Sequence, residues 1–181
     1  AKMKFSNYLE SALGSKVKVK ILRALFKFDT KTFTSRELAK HIKVSHTAVL
    51  NSLGDLQGMN LIRKESIGTA DSLSLNKESH LFGPLRDLFS AEEKTIDGIC
   101  TDLKNKLPRG KFCALFGSVA VRKEDFNSDV DIFIIAEDKA KINEAIARNQ
   151  EYFSKKYGNV ISAHIYSKKE FNNWKIVTKK K

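Results

Sequence analysis

No stretch of the 181 residues is apolar for long enough to span a bilayer, and no charged-then-apolar leader opens the chain. The expectation is a cytoplasmic protein with no membrane partner. Cysteine is scarce. Cys100 and Cys113 lack metal-ligand spacing, and their apolar surroundings predict buried free thiols. There is no internal repeat and no low-complexity segment. Acid is in deficit: the formal net charge is +12 and the pI about 9.7. A basic surface favours an anionic partner such as nucleic acid. The excess is spread, +7 over residues 1–81 and +5 over the remainder. The apolar share of 41% and charged share of 30% are ordinary for a soluble globular protein. The length suffices for one medium domain or two small ones, each with a real core.

In the first half, Phe5, Tyr8, Leu9 and Leu13 fall at helical spacing. Ser15 is a candidate cap for a second helix, whose stripe is Val17, Ile21, Leu22, Leu25 and Phe26. Asp29-Thr30-Lys31 breaks it. Thr34, followed three residues later by Glu37, is a capping box just before Leu38 and Ala39. That helix is short and ends near Val44. Ser45 caps another, from His46 to about Met59, with Val49, Leu50, Leu53 and Leu56 inward. A short helix, a tight turn and a second helix make a helix-turn-helix. The segments Leu61 to Ser66 and Ser72 to Leu75 then alternate like strands, joined by a turn containing Gly68.

Three helices and a hairpin are a winged helix. Residues 15–80 resemble the winged-helix transcription regulators of prokaryotes, through Leu38-Ala39, Val44-Ser45, Leu53, Leu56 and Leu61-Ile62-Arg63-Lys64. The resemblance implies DNA as partner. Ser45, His46, Thr47, Asn51 and Ser52 are then the candidates to reach bases or phosphates in the major groove. Arg36 and Lys43 are candidates for phosphate, and Arg63 and Lys64 stand where a wing meets the DNA backbone. The third helix is poor in cations: no Arg or Lys lies between Lys43 and Arg63.

From Leu81 to Leu107 runs one long helical pattern, Phe82, Leu85, Leu88, Phe89, Ile96, Ile99, Cys100, Leu103 and Leu107. It is expected to join two domains and to pair with its copy in a homodimer. Pro108-Arg109-Gly110 ends it.

In the second half, the stretch Leu115 to Ile135 carries the chemistry. An apolar run, Phe112 to Phe116, ends at Gly117-Ser118. Ten residues separate Ser118 from Asp129, then Asp129-Val130-Asp131 leads straight into a second apolar run, Ile132 to Ile135. Short apolar runs bounded by turn residues predict buried strands. Gly117 allows a sharp turn and close approach to a ligand. Ser118 starts a short helix, whose free N–H groups attract phosphate. Asp129 and Asp131 are two apart on a strand, so both carboxylates face one way. They repel each other unless a cation sits between them. Mg²⁺ is the natural candidate, since it takes one or two carboxylates plus phosphate oxygens and waters. Such a site suits nucleotide triphosphate chemistry.

This order of elements resembles the nucleotidyltransferase superfamily related to DNA polymerase beta, in particular its minimal members. Gly117, Ser118, Asp129 and Asp131 match its signature position by position, and the resemblance covers about Lys111 to Phe171. It implies a triphosphate held at Gly117 and Ser118 and a metal held at Asp129 and Asp131. Two departures stand out. Many minimal members read Gly-Ser-x-Ala-Arg-Gly, whereas here Ala120 is followed by Val121 and Arg122. Active members carry a third acid on a later strand, expected here at Val160 to Tyr166; its site face offers Ser162 or His164 and no Asp or Glu. His164 is the candidate base in its stead. The crossover helix is expected from about Lys139 to Tyr157, closed by Gly158-Asn159. A last helix begins near Lys168, with Trp174 packed on the core.

The reading is an α+β chain. It comprises a winged-helix DNA-binding domain (1–80), a connecting helix (81–108) and a minimal nucleotidyltransferase-like domain with a mixed sheet and flanking helices (109–181). The leading expectation is a prokaryotic regulator whose second domain binds a nucleotide triphosphate with Mg²⁺. The alternative is an active nucleotidyltransferase whose winged helix docks its substrate.

Overall fold

The computed structural model describes residues 8–67, 70–108, 112–120 and 128–178. Phe5, Gly68, Arg109, Gly110, Lys111, Val121, Arg122 and the side chain of Trp174 lie outside the described set. No helix of the described residues is long and apolar enough to cross a membrane. The chain divides into two compact units, residues 1–93 and 94–181.

The first unit is helical with a hairpin. Helices α1 (Tyr8–Leu13), α2 (Lys16–Lys27), α3 (Ser35–Ile42) and α4 (His46–Gly58) precede strands β1 (Ile62–Ile67) and β2 (Ala70–Leu75), which pair antiparallel. The Thr34 capping box forms: its hydroxyl accepts from the Glu37 N–H, and the Glu37 carboxylate accepts from the Thr34 N–H at 2.9 Å. Ser45 caps α4 by accepting from the Ala48 N–H. Ser15 stands at the N-cap of α2 but makes no side-chain cap hydrogen bond. Lys43 closes α3 in the left-handed conformation, φ 54°, which opens the tight turn into α4. An unforeseen bridge joins Phe33 to Leu73 of β2, so the hairpin is tied back to the helices. The core gathers Leu22, Leu25, Leu38, Val49, Leu53, Leu56 and Leu73. Leu50, expected inward, is 43% exposed: α4 turns only one stripe to the core, and Val49, Ser52, Leu53 and Leu56 fill it.

Helix α5 (Phe82–Lys106) is divided between the units. Leu85 and Phe89 belong to the first core, Ile99 and Leu103 to the second. The second unit continues with β3 (Phe112–Leu115), α6 (Gly117–Ala120), β4 (Val130–Ile135), α7 (Lys139–Tyr157), β5 (Ile161–Tyr166) and α8 (Lys168–Thr178). The sheet order is β3-β4-β5, with β3 antiparallel and β5 parallel to β4. It is the mixed sheet that the sequence predicts, with α7 as its crossover. Alternation sorts β4: Val130, Ile132 and Ile134 are buried with Ile142, Ile146 and Phe153 of α7. The opposite face is partly covered: Ile135 on it is buried, and Phe171 of α8 meets Phe133. That face also carries Phe112 and Tyr166, with Phe112 51% exposed. Phe112 and Cys113 therefore depart from the buried strand and buried thiols expected. β3 is an edge strand, so Cys113 is exposed, and Cys100 is half-buried.

A polar cluster fastens α5 to α7. One carboxylate oxygen of Asp102 accepts from Tyr152 (2.8 Å), Tyr157 (2.7 Å) and the Lys156 ammonium (2.6 Å). Lys156 first, then the two phenols, hold the Asp102 carboxyl down at about 2, below the ordinary 3.8. The folded value lies below the unfolded one, so this contribution is present above about pH 4 and lost as pH falls toward 2. Asp102→Asn is expected to destabilise the second unit by about 1–2 kcal/mol at neutral pH. In calorimetric melts the difference from the parent should close near pH 2; a difference that persists there would refute the electrostatic origin.

Candidate functional site

The site in the second unit is built where β3 turns into α6 beside the start of β4. The Phe116 N–H donates to the Asp131 carbonyl at 3.0 Å, which brings the turn onto β4. Gly117 follows with φ +74°, a conformation that costs an L side chain about 1–2 kcal/mol. It is also packed on Asp131. A Cβ at Gly117 would lie 2.2 Å from a carboxylate oxygen of Asp131 and 3.0 Å from its Cγ. Glycine is thus needed twice, for its backbone angle and for the space that the carboxylate occupies. Ser118 lies half-buried in α6, and Val119 anchors that helix in the core. α6 has four residues, so what it brings to the site is a closely approaching backbone rather than a helix dipole.

Asp131 is half-buried on β4. Asp129 is exposed, one residue before the strand begins. The strand's start is fixed from the other side: the Val130 N–H donates to the Val160 carbonyl at 2.9 Å, and the Asn159 amide donates to the Ser128 carbonyl at 2.7 Å. Asn159 therefore steadies the segment carrying Asp129. In the sequence it stands out only as a helix terminator, because the contact joins positions 31 apart.

Beside Asp131, across the β4–β5 ladder, stands Ser162; His164 stands two pairs further on, beside Phe133. The site face of β5 has no acid. His164 is exposed and lies edge-on to Phe116, ring centroids 5.1 Å apart. Glu170 does not replace the third acid. It accepts from the Ser167 N–H at 2.7 Å, pairs with Lys139 at 3.0 Å, and so caps α8. The Ser167 N–H chiefly, then Lys139, hold its carboxyl at about 2. The half-buried aromatic cluster next to the acids is not legible in the sequence. Phe133 stacks on Tyr166 at 5.1 Å and meets Phe112 and Phe171, while Phe116 is 38% exposed. An all-apolar run hides which of its residues face out.

Among the described residues no group of three or more His, Cys, Asp and Glu could hold a metal. Asp129 and Asp131 offer two hard oxygen donors, with Asp131 seated in a notch that a Cβ would fill. That donor set fits Mg²⁺, which needs few protein ligands when phosphate and water supply the rest.

Residues 100–181 match the family model described as Polymerase beta, Nucleotidyltransferase. None of the curated proteins matches the chain. Among solved structures the chain is similar to ZitR of Lactococcus lactis in a mutant apo form. Identity is 21%, over 59% of this chain and 86% of that one, at TM-score 0.41. It is also similar to reduced HlyU of Vibrio cholerae: 15% identity, 49% of this chain, 84% of that one, TM-score 0.40. For MepR, a transcription regulator of the Staphylococcus aureus multidrug efflux pump MepA, the figures are 16%, 51%, 74% and 0.39. The winged helix itself is given by the chain's own α2, α3, α4 and β1–β2 hairpin.

In the winged helix, the residues singled out for DNA fall into three groups. Arg36 and Lys43 are exposed on α3 and its cap, and Lys40 joins them one turn apart on the same side. None of the three has an ion-pair partner among the described residues. Arg63 and Lys64, by contrast, are paired with Glu78 (2.5 Å) and Asp71 (2.8 Å). On α4, Thr47 and Asn51 are exposed, Ser45 is engaged as cap, and the His46 ring bonds the Ser35 hydroxyl at 2.9 Å. Ser52 is buried and donates to the Ala48 carbonyl, so it faces the core rather than a groove.

Gly117→Ala is expected to push the turn off Asp131 and cost at least the 1–2 kcal/mol of the left-handed backbone. A thermal melt of the second unit measures it; an unchanged melting temperature would show that the notch yields freely.

Proposed function

We propose that this chain is a DNA-binding regulator whose nucleotidyltransferase-like domain binds a nucleotide triphosphate with Mg²⁺. The observation that carries the second half is the close packing of Gly117 on Asp131, inside a segment that matches the nucleotidyltransferase family. Asp129 and Asp131 would hold the Mg²⁺, which when bound offsets the charge of the triphosphate. Gly117 and Ser118 bring backbone close to the phosphates. Asp131 is fixed by its ladder and its glycine neighbour, and Asn159 steadies the segment of Asp129. Phe116, exposed beside the acids, supports stacking of a planar base. His164 is the one imidazole on the site face of β5, and any proton removed from an acceptor hydroxyl would pass to it. With Ser162 rather than an acid beside Asp131, binding is favoured over rapid transfer.

For the first half, the unpaired cations Arg36, Lys40 and Lys43 support contact with DNA phosphates. Lys43 adds a second argument. It occupies a left-handed cap that glycine fills at lower cost, so its side chain is kept for something other than the fold. Leu88, 53% exposed on α5, supports pairing of two copies on two half-sites.

Three outcomes are expected. Calorimetric titration with Mg²⁺ and each nucleotide triphosphate should detect binding that Asp131→Ala weakens at least about tenfold, a loss equivalent to one charge-assisted contact. If no triphosphate binds, the ligand reading is wrong; transfer of an alpha-phosphate label to protein or nucleic acid would make the domain an enzyme. Lys43→Gly should raise thermal stability by up to about 1 kcal/mol while weakening duplex binding. Arg36→Ala, Lys40→Ala and Lys43→Ala should each reduce the salt slope of duplex binding by about 0.9, and Arg63→Ala by much less. Equal slopes for α3 and wing variants would overturn the assignment.

A further inference from the structure

Resting on the DNA-binding reading, we infer that the outward face of α4 reads A·T base pairs: Asn51 takes an adenine edge, and Leu50 and Thr47 take thymine methyl groups. Val49, Ser52, Leu53 and Leu56 are buried. Ser45 caps the helix, and His46 is bonded to Ser35. Among the exposed residues, Thr47, Leu50 and Asn51 lie on one side of the first two turns of the helix; Gln57 is exposed as well, near its C-terminal end.

Their chemistry is selective. The commonest specific contact to guanine is a bidentate Arg or Lys, and α4 has neither. Cytosine is read by a carboxylate, and the one acid of α4, Asp55, is engaged by Lys18 of α2. An asparagine amide matches the donor and acceptor of adenine's major-groove edge, and an apolar group matches the thymine methyl. Leu50 is otherwise unexplained, since 43% of it is exposed where the core needs nothing. Gly54 continues the same side of the helix, and no atom lies within 4 Å of where its Cβ would stand. The approach to Asn51 is therefore open.

Charge selects duplex DNA as the occupant of this face. The uncharged reading surface is flanked by Arg36, Lys40 and Lys43, all exposed and without ion pairs among the described residues. Neutral side chains toward bases and free cations toward phosphates are what a duplex requires. An apolar protein partner would not explain three unpaired cations.

The test is selection of binding sites from a random duplex pool with the full chain, repeated with Asn51→Ala and Leu50→Ala. The expected consensus has A·T pairs at the contacted positions. Asn51→Ala should bind the selected site on the order of tenfold to a hundredfold less tightly and relax the preference at one base pair. Its affinity for unrelated duplex should stay unchanged, as should its thermal melt. A consensus of G·C pairs at those positions, or the same consensus and affinity for Asn51→Ala, would overturn the inference and leave DNA binding intact. Failure of the parent chain to bind any duplex at low salt would overturn both.

Discussion

The alternation of β4 is the constraint on which the second unit depends. Val130, Ile132 and Ile134 are almost wholly buried between the sheet and α7. Each is a large apolar side chain, whose full burial is worth roughly 1.5–3 kcal/mol. A slip of one residue would send all three to the opposite face and drive Asp131 into the core. The core therefore fixes where the carboxylate points before any ligand is present. The turn at Gly117 completes the arrangement from the other side, through the Phe116 hydrogen bond to Asp131 and the absence of a Cβ. The site is rigid because it is built on a strand whose register hydrophobic burial decides.

The same ladder explains what the site lacks. Position for position, the neighbour of Asp131 on β5 is Ser162, and a hydroxyl neither carries charge nor accepts a proton readily at neutral pH. His164 stands two pairs along the strand and meets Phe116. Glu170, the next acid in the chain, is spent on a helix cap and on Lys139. The strand face beside Asp131 thus carries a hydroxyl and an imidazole and no third carboxylate.

Most of the elements were legible in the sequence because local chemistry dictates them. The Thr34–Glu37 box, the Ser45 cap, the crossover helix from Lys139 to Tyr157 and the glycine turn at Gly117 each follow from residues within a few positions. What escaped was decided by partners far along the chain. Arg63 and Lys64 read as free wing cations until the fold brings Glu78 and Asp71 to them. Runs of apolar residues also conceal their facing, as Leu50, Phe112 and Phe116 show. Periodicity cannot choose a face when both faces are apolar. Ser15 has the right residue type at an N-cap, yet its hydroxyl makes no cap bond.

Charge in the first unit sharpens this point. A count of cations puts the wing and the helices on equal terms, but pairing separates them. A Lys or Arg already matched by a carboxylate must break that pair to release its counter-charge to phosphate, and so gains less from DNA. Arg36, Lys40 and Lys43 carry no such debt. Lys43 even holds a backbone conformation that disfavours any residue with a Cβ. A chain selected for stability alone would hold glycine there. The cost falls at the tight turn between α3 and α4, so local strain and unpaired charge coincide at the edge proposed to face DNA.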